Sequence, residues 1–156
     1  MINTYSVMLN ENRVPYLRLD SSAEYSEKNE LNSPRLIVGM ANTVFELEDC
    51  AEEHLITVAL DAKCHVLGIF QTAHGGISTA EASPRSILQR ALLCGAATFV
   101  VCHNHPSGDC SPSKEDLNAA ENIAAAGEIL GIPMSDFIIL GKERYYSFKE
   151  KGKLSV

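Results

Sequence analysis

Apolar positions recur along the chain with two different periods. Residues 1–20 alternate with a period of two, TYSVML then PYLRL about the polar tip Asn10-Glu11-Asn12-Arg13, which predicts a hairpin followed by a polar loop over SSAEYSEKNE (21–30). Ser33-Pro34 then pairs an N-cap with proline at the first helical position, and Ile37, Met40, Ala41, Val44 and Leu47 return at helical spacing. LITVAL (55–60) and VLGIFQ (66–71) are continuous β-branched-rich runs joined by Asp61-Ala62-Lys63-Cys64, the pattern of a hairpin with both faces buried. After a loop through Gly75-Gly76, Ser83-Pro84 repeats the cap-plus-proline signal, and Ile87, Leu88, Ala91 and Leu92 give a second helix ending at Gly95. TFVVC (98–102) predicts a short buried strand, and Ser113 to Ala126 a long alanine-rich helix stopped by Gly127 and Gly131. DFIIL (136–140) and YYSF (145–148) predict a closing hairpin. Hairpins at both ends and helices between strands indicate a mixed α/β sheet flanked by helices, not a regularly alternating doubly wound fold.

Composition narrows the class. A chain of 156 residues, 46% apolar and 21% charged, has the size of one globular domain and excludes disorder, collagen and coiled coil. No apolar stretch approaches the roughly 18 residues of a membrane span, and the start MINTYSVMLNENRV lacks the layout of a signal peptide, so no membrane partner and a cytoplasmic location are expected. Five scattered cysteines (Cys50, Cys64, Cys94, Cys102, Cys110) without a C-x-x-C pair read as reduced thiols. The formal charge of −7 and the absence of any run of Lys or Arg make nucleic acid a disfavoured partner.

The chemistry concentrates after the short buried strand. His103 and His105 stand two apart where the strand runs out, and a period of two throws both imidazoles to the same side, a metal-ligand spacing. Asp116 follows in the first turn of the next helix, where a tight Pro106-Ser107-Gly108 bend can bring its carboxylate back. Two imidazoles and a carboxylate leave the fourth tetrahedral position of a zinc ion open to water, which distinguishes catalytic from structural zinc. Ser113-x-x-Asp116 is also close to a capping box, and an acid in the first turn suits the helix dipole, so it marks a helix start as well. A metal-held water attacking a carbonyl also needs a proton carrier. Cys102 should face away from the histidines into the core, while His54, His65 and His74 show no partner spacing.

The run HNHPSGDCSPSKED (103–116), with His-x-His, seven residues and Ser-x-x-Asp, resembles the metal motif of JAMM (JAB/MPN-type) metalloproteases. Its Asn104, Pro106, Ser107, Gly108, Asp109, Pro112 and Ser113 context is similar to RadC-like proteins, as are NSPRLI (32–37), AEEHLITVALDAK (51–63), AGEILGIP (126–133) and YYSFKEKG (145–152). The resemblance implies a JAB/MPN-type (cytidine-deaminase-like) α/β domain over residues 32–156, preceded by an N-terminal extension over 1–31. It further implies zinc held by His103, His105 and Asp116, with Ser113 stabilising the oxyanion and Glu53, rather than its neighbour Glu52, as acid/base. The implied activity is zinc-dependent hydrolysis of a peptide or isopeptide bond in a peptide or protein substrate. Cys110 stands where proline is common, Ser83 and Ser86 where a histidine and an acid are expected, and Phe137 where a histidine is expected. Two rival roles remain: a DNA-repair-associated accessory protein or nuclease, and a non-catalytic binding module. The letters HNH do not indicate an HNH endonuclease, whose residues are spread over a strand-strand-helix unit.

Overall fold

Seven strands and three helices form among the described residues, which in this computed structural model are 1–25, 30–75 and 82–154. In chain order they are β1 (Ile2–Leu9), β2 (Pro15–Ala23), α1 (Pro34–Phe45), β3 (His54–Leu60), β4 (Val66–His74), α2 (Pro84–Cys94), β5 (Thr98–Asn104), α3 (Lys114–Ile129), β6 (Met134–Gly141) and β7 (Arg144–Ser147). The strands make one sheet in the order β2-β1-β4-β3-β5-β6-β7. It is mixed: β1 with β4 and β5 with β6 run parallel, and the other pairs antiparallel. The expected mixed α/β architecture is therefore the observed one.

The inner strands are buried on both faces, which is why their sequences are apolar runs. Along β5, Phe99 and Val101 point into a core shared with Ile87, Leu88 and Ala91 of α2 and Ala120 and Ile123 of α3. Val100 and Cys102 point the other way, into a core with Ile37, Met40 and Ala41 of α1. Each large aliphatic side chain removed from water in these layers contributes about 1.5–3 kcal/mol. This alternation hands His103 to the α2/α3 side and leaves Cys102 fully buried on the α1 side, as its position on the strand requires.

Several boundaries differ from the sequence expectation. α1 stops at Phe45 because Glu46 takes a left-handed conformation (φ 49°), so Leu47 packs from a separate short 3-10 turn. Ser21–Ala23, expected in a loop, extend β2 by pairing with Ile2–Thr4; residues 26–29 of that loop lie outside the described residues. β4 continues to His74, and of the expected Gly75-Gly76 loop only Gly75 is described. α3 runs through Gly127 to Ile129; that glycine is a close approach, not a stop, since a Cβ there would come 2.6 Å from the Ile132 carbonyl oxygen. β5 runs two residues beyond Cys102, because β6 continues to pair with His103 and Asn104.

Candidate metal centre

The end of β5 and the start of α3 build the site. Pairing with β3 (Leu55 opposite His103) and β6 (Asn104 opposite Leu140) fixes the strand end on both sides. The following loop folds back over β6: His105 N–H donates to Leu140 O at 2.8 Å, Gly108 N–H to His105 O at 2.9 Å, and Lys142 N–H to Gly108 O at 3.0 Å. Gly141 permits this approach, because a Cβ at that position would collide with the Gly108 carbonyl oxygen. α3 begins with a complete capping box. Ser113 Oγ accepts from Asp116 N–H at 3.1 Å, while Asp116 Oδ2 accepts from Ser113 N–H at 2.7 Å and Ser113 Oγ–H at 2.8 Å. The same carboxylate that caps the helix faces the histidines.

His103, His105 and Asp116 bring one ligand atom each to within 4.8 Å of one another. His103 Nε2 lies 2.9 Å from Asp116 Oδ1, and His105 Nε2 lies 3.3 Å from Asp116 Oδ2. His105 Nδ1 is 2.7 Å from the Asp109 carbonyl oxygen. A carbonyl can only accept, so Nδ1 carries a proton, which leaves Nε2 as the ring atom a metal would take. His103, fully buried, sets its Nε2 against the same carboxylate and leaves Nδ1 without a hydrogen-bond partner among the described residues. Phe137, in place of the expected histidine, packs edge-on to the His103 ring at 5.7 Å between centroids and offers it no polar atom. The donor set therefore fits a divalent ion such as zinc. Burial alone would raise the Asp116 carboxyl, but the His103 ring beside it and the Ser113 donors outweigh burial and hold it at about 2.

Around the triad lies a cavity of about 390 Å³ lined by Glu53, His105, Pro106, Ser107, Ser113, Glu115 and Asp116. Glu53 sits half-buried one residue before β3, with its carbonyl accepting from Gly75 N–H at 2.8 Å. Glu52 is exposed and pairs with His74 instead, so of the two glutamates only Glu53 lines the cavity. His54 and His74 stack at 4.4 Å between centroids, and His65 pairs with Asp61 at 3.0 Å. Ser83 caps α2, and Ser86 Oγ accepts from Arg90 Nη1 at 2.7 Å, so both unexpected serines serve that helix start. The residue passed over in the sequence as mere context is Asn104. It is 1% exposed between the two histidines and points to the opposite face, where its side chain bonds the backbone around Glu53. A polar residue on the inward parity of a buried strand end was its signal.

A mixed sheet with a His-x-His pair at a strand end, answered by an aspartate from the next helix, defines a JAB/MPN-type α/β domain. The chain belongs to the RadC-like JAB domain family, which matches residues 31–153. A UPF0758 protein of Clostridium beijerinckii is 39% identical over 107 residues, 69% of this chain and 47% of its own length. One from Pelobacter propionicus is 35% identical over 126 residues, 81% of this chain and 54% of its own length. One from Clostridium botulinum is 38% identical over 123 residues, 79% of this chain and 53% of its own length. The chain thus spans about half the length of the curated relatives it matches. No helix among the described residues is long and apolar enough to cross a membrane.

Proposed function

We propose that the domain is a zinc-dependent hydrolase that cleaves a peptide or isopeptide bond. The observation that carries this reading is the convergence of one ligand atom each from His103, His105 and Asp116 beside a cavity that a separate carboxylate, Glu53, also lines. Zinc held by His103, His105 and Asp116 would supply a Lewis acid for the scissile carbonyl and make the attacking water more acidic. Glu53 takes the proton from the attacking water as the new C–O bond forms, then returns it to the departing amine as the C–N bond breaks. Ser113 is the oxyanion donor. Its single hydroxyl proton goes to Asp116 Oδ2, so serving an oxyanion requires the hydroxyl to turn away from that carboxylate.

Charge supports a peptide over a nucleic-acid substrate. Among the described residues the cavity is lined by three acids, Glu53, Glu115 and Asp116, and by no Lys or Arg, while the chain carries −7 overall. Such a mouth repels a phosphate backbone. A cytoplasmic location accords with five free cysteines. The test is to load the protein with zinc and screen linked and linear peptides for cleavage, with Glu53→Gln as control. Cleavage by the wild type, lost in a variant that still holds one zinc, is expected; wild type that takes up no zinc overturns the reading. Salt-sensitive DNA binding at physiological ionic strength would favour the repair-associated role instead.

A further inference from the structure

The β3–β5 ladder ends at Leu55 and His103, yet the segment before Leu55 stays tied to β5. The tie is one side chain. Asn104 Oδ1 accepts from His54 N–H at 2.8 Å, and Asn104 Nδ2 donates to the Glu52 carbonyl at 3.0 Å and, more weakly, to the Cys50 carbonyl at 3.3 Å. These bonds grip the backbone on both sides of Glu53. The backbone of Asn104 has by then turned to β6, opposite Leu140, so its amide side chain does for the 52–54 segment what a further rung of the ladder would do.

We infer that Asn104 is a positioning residue that fixes the Glu53 carboxylate relative to the metal ligands. Asn104 stands between His103 and His105 in sequence, so any shift of the strand end moves the ligands and, through this amide, the glutamate together. A carboxylate that shuttles protons gains from such coupling, since a displacement of about 1 Å at a reacting group can lower a rate about 10²-fold. Asparagine suits the place because it both donates and accepts and is 1% exposed; an apolar residue would leave the Glu52 carbonyl and His54 N–H without this partner. The inference rests on the reading of Glu53 as the acid/base.

The test is carboxyl ¹³C NMR of glutamate-labelled protein at fixed pH, with the Glu53 resonance assigned by Glu53→Gln and zinc added stepwise. In the wild type, zinc should shift that resonance. In Asn104→Ala the shift should shrink at least about twofold while zinc still binds one to one with a Kd within about threefold of wild type, less than the 10–100-fold typical of lost outer-shell support to a ligand. A wild-type shift in Asn104→Ala overturns the inference and leaves the Glu53 reading standing; a wild-type resonance indifferent to zinc overturns both. Should Asn104→Ala fail to fold, Asn104→Asp decides. It keeps the acceptor for His54 N–H but loses both donations, so a reduced shift is expected and an unchanged one contradicts the inference.

Discussion

The two halves of the centre are built by different means. The inner half, His103 and Asp116, is buried: His103 is oriented by packing against Phe137 and by its place on β5, with Nε2 2.9 Å from Asp116 Oδ1 and Nδ1 without a hydrogen bond. The outer half, His105, Ser113 and Glu53, lies at the cavity and is oriented by hydrogen bonds from loops and caps: His105 through Asp109, Ser113 through the capping box, Glu53 through bonds to its own and neighbouring backbone. Packing gives the inner half rigidity and sets one nitrogen of a buried ring against a carboxylate, a pair that a shared cation would satisfy. The outer half borders the cavity, where groups that act on a substrate have to be.

This contrast predicts separable losses. The largest effect belongs to His103→Ala, which removes a ligand and opens a void beside Phe137. Zinc content should fall to background in elemental analysis, with affinity reduced beyond the 10–100-fold typical of an outer-shell loss. Glu53→Gln should instead keep one zinc per chain and reduce hydrolysis by about 10²–10⁴-fold, measured as single-turnover cleavage. Zinc loss in that variant would move Glu53 into the ligand set. Ser113→Ala sits on the border. Turnover should drop about 10²–10³-fold and denaturant stability by about 1 kcal/mol from the lost cap, with metal retained. If this variant loses zinc stoichiometrically, Ser113 belongs with the inner half.

A smaller effect follows from Asp116. Its folded carboxyl sits at about 2, below the ordinary value of 3.8, so the stabilisation it contributes is complete above pH ~4 and lost as pH falls toward 2. Metal-free protein should therefore lose stability on acidification through that window, and Asp116→Asn should flatten the dependence in denaturant melts at stepped pH. An equally steep loss in the variant would place the acid sensitivity elsewhere.

The sequence carried the local features of the inner half and little of how they are joined. The two-residue spacing placed His103 and His105 on one side, and the Ser113-x-x-Asp116 pattern marked a helix start; the structure shows that capping and facing the histidines are the work of one carboxylate. The strand order was not legible, because the parallel pairings β1–β4 and β5–β6 join segments far apart in sequence that share no turn. For the same reason β5 was read two residues short: HNH is polar, and only the neighbouring strand makes it a ladder. Asn104 escaped notice because its partners lie about fifty residues away. Glu53 is singled out through family likeness; in space it lines the cavity, while Glu52 pairs with His74.

The central claim is that His103, His105 and Asp116 hold one divalent ion with a position left open. An anomalous-difference map at the zinc edge, from crystals grown with zinc, tests it directly. The expected result is a single peak about 2.0–2.2 Å from His103 Nε2, His105 Nε2 and an Asp116 oxygen, with the Glu53 carboxylate farther off. The three side chains splayed around no peak would contradict it.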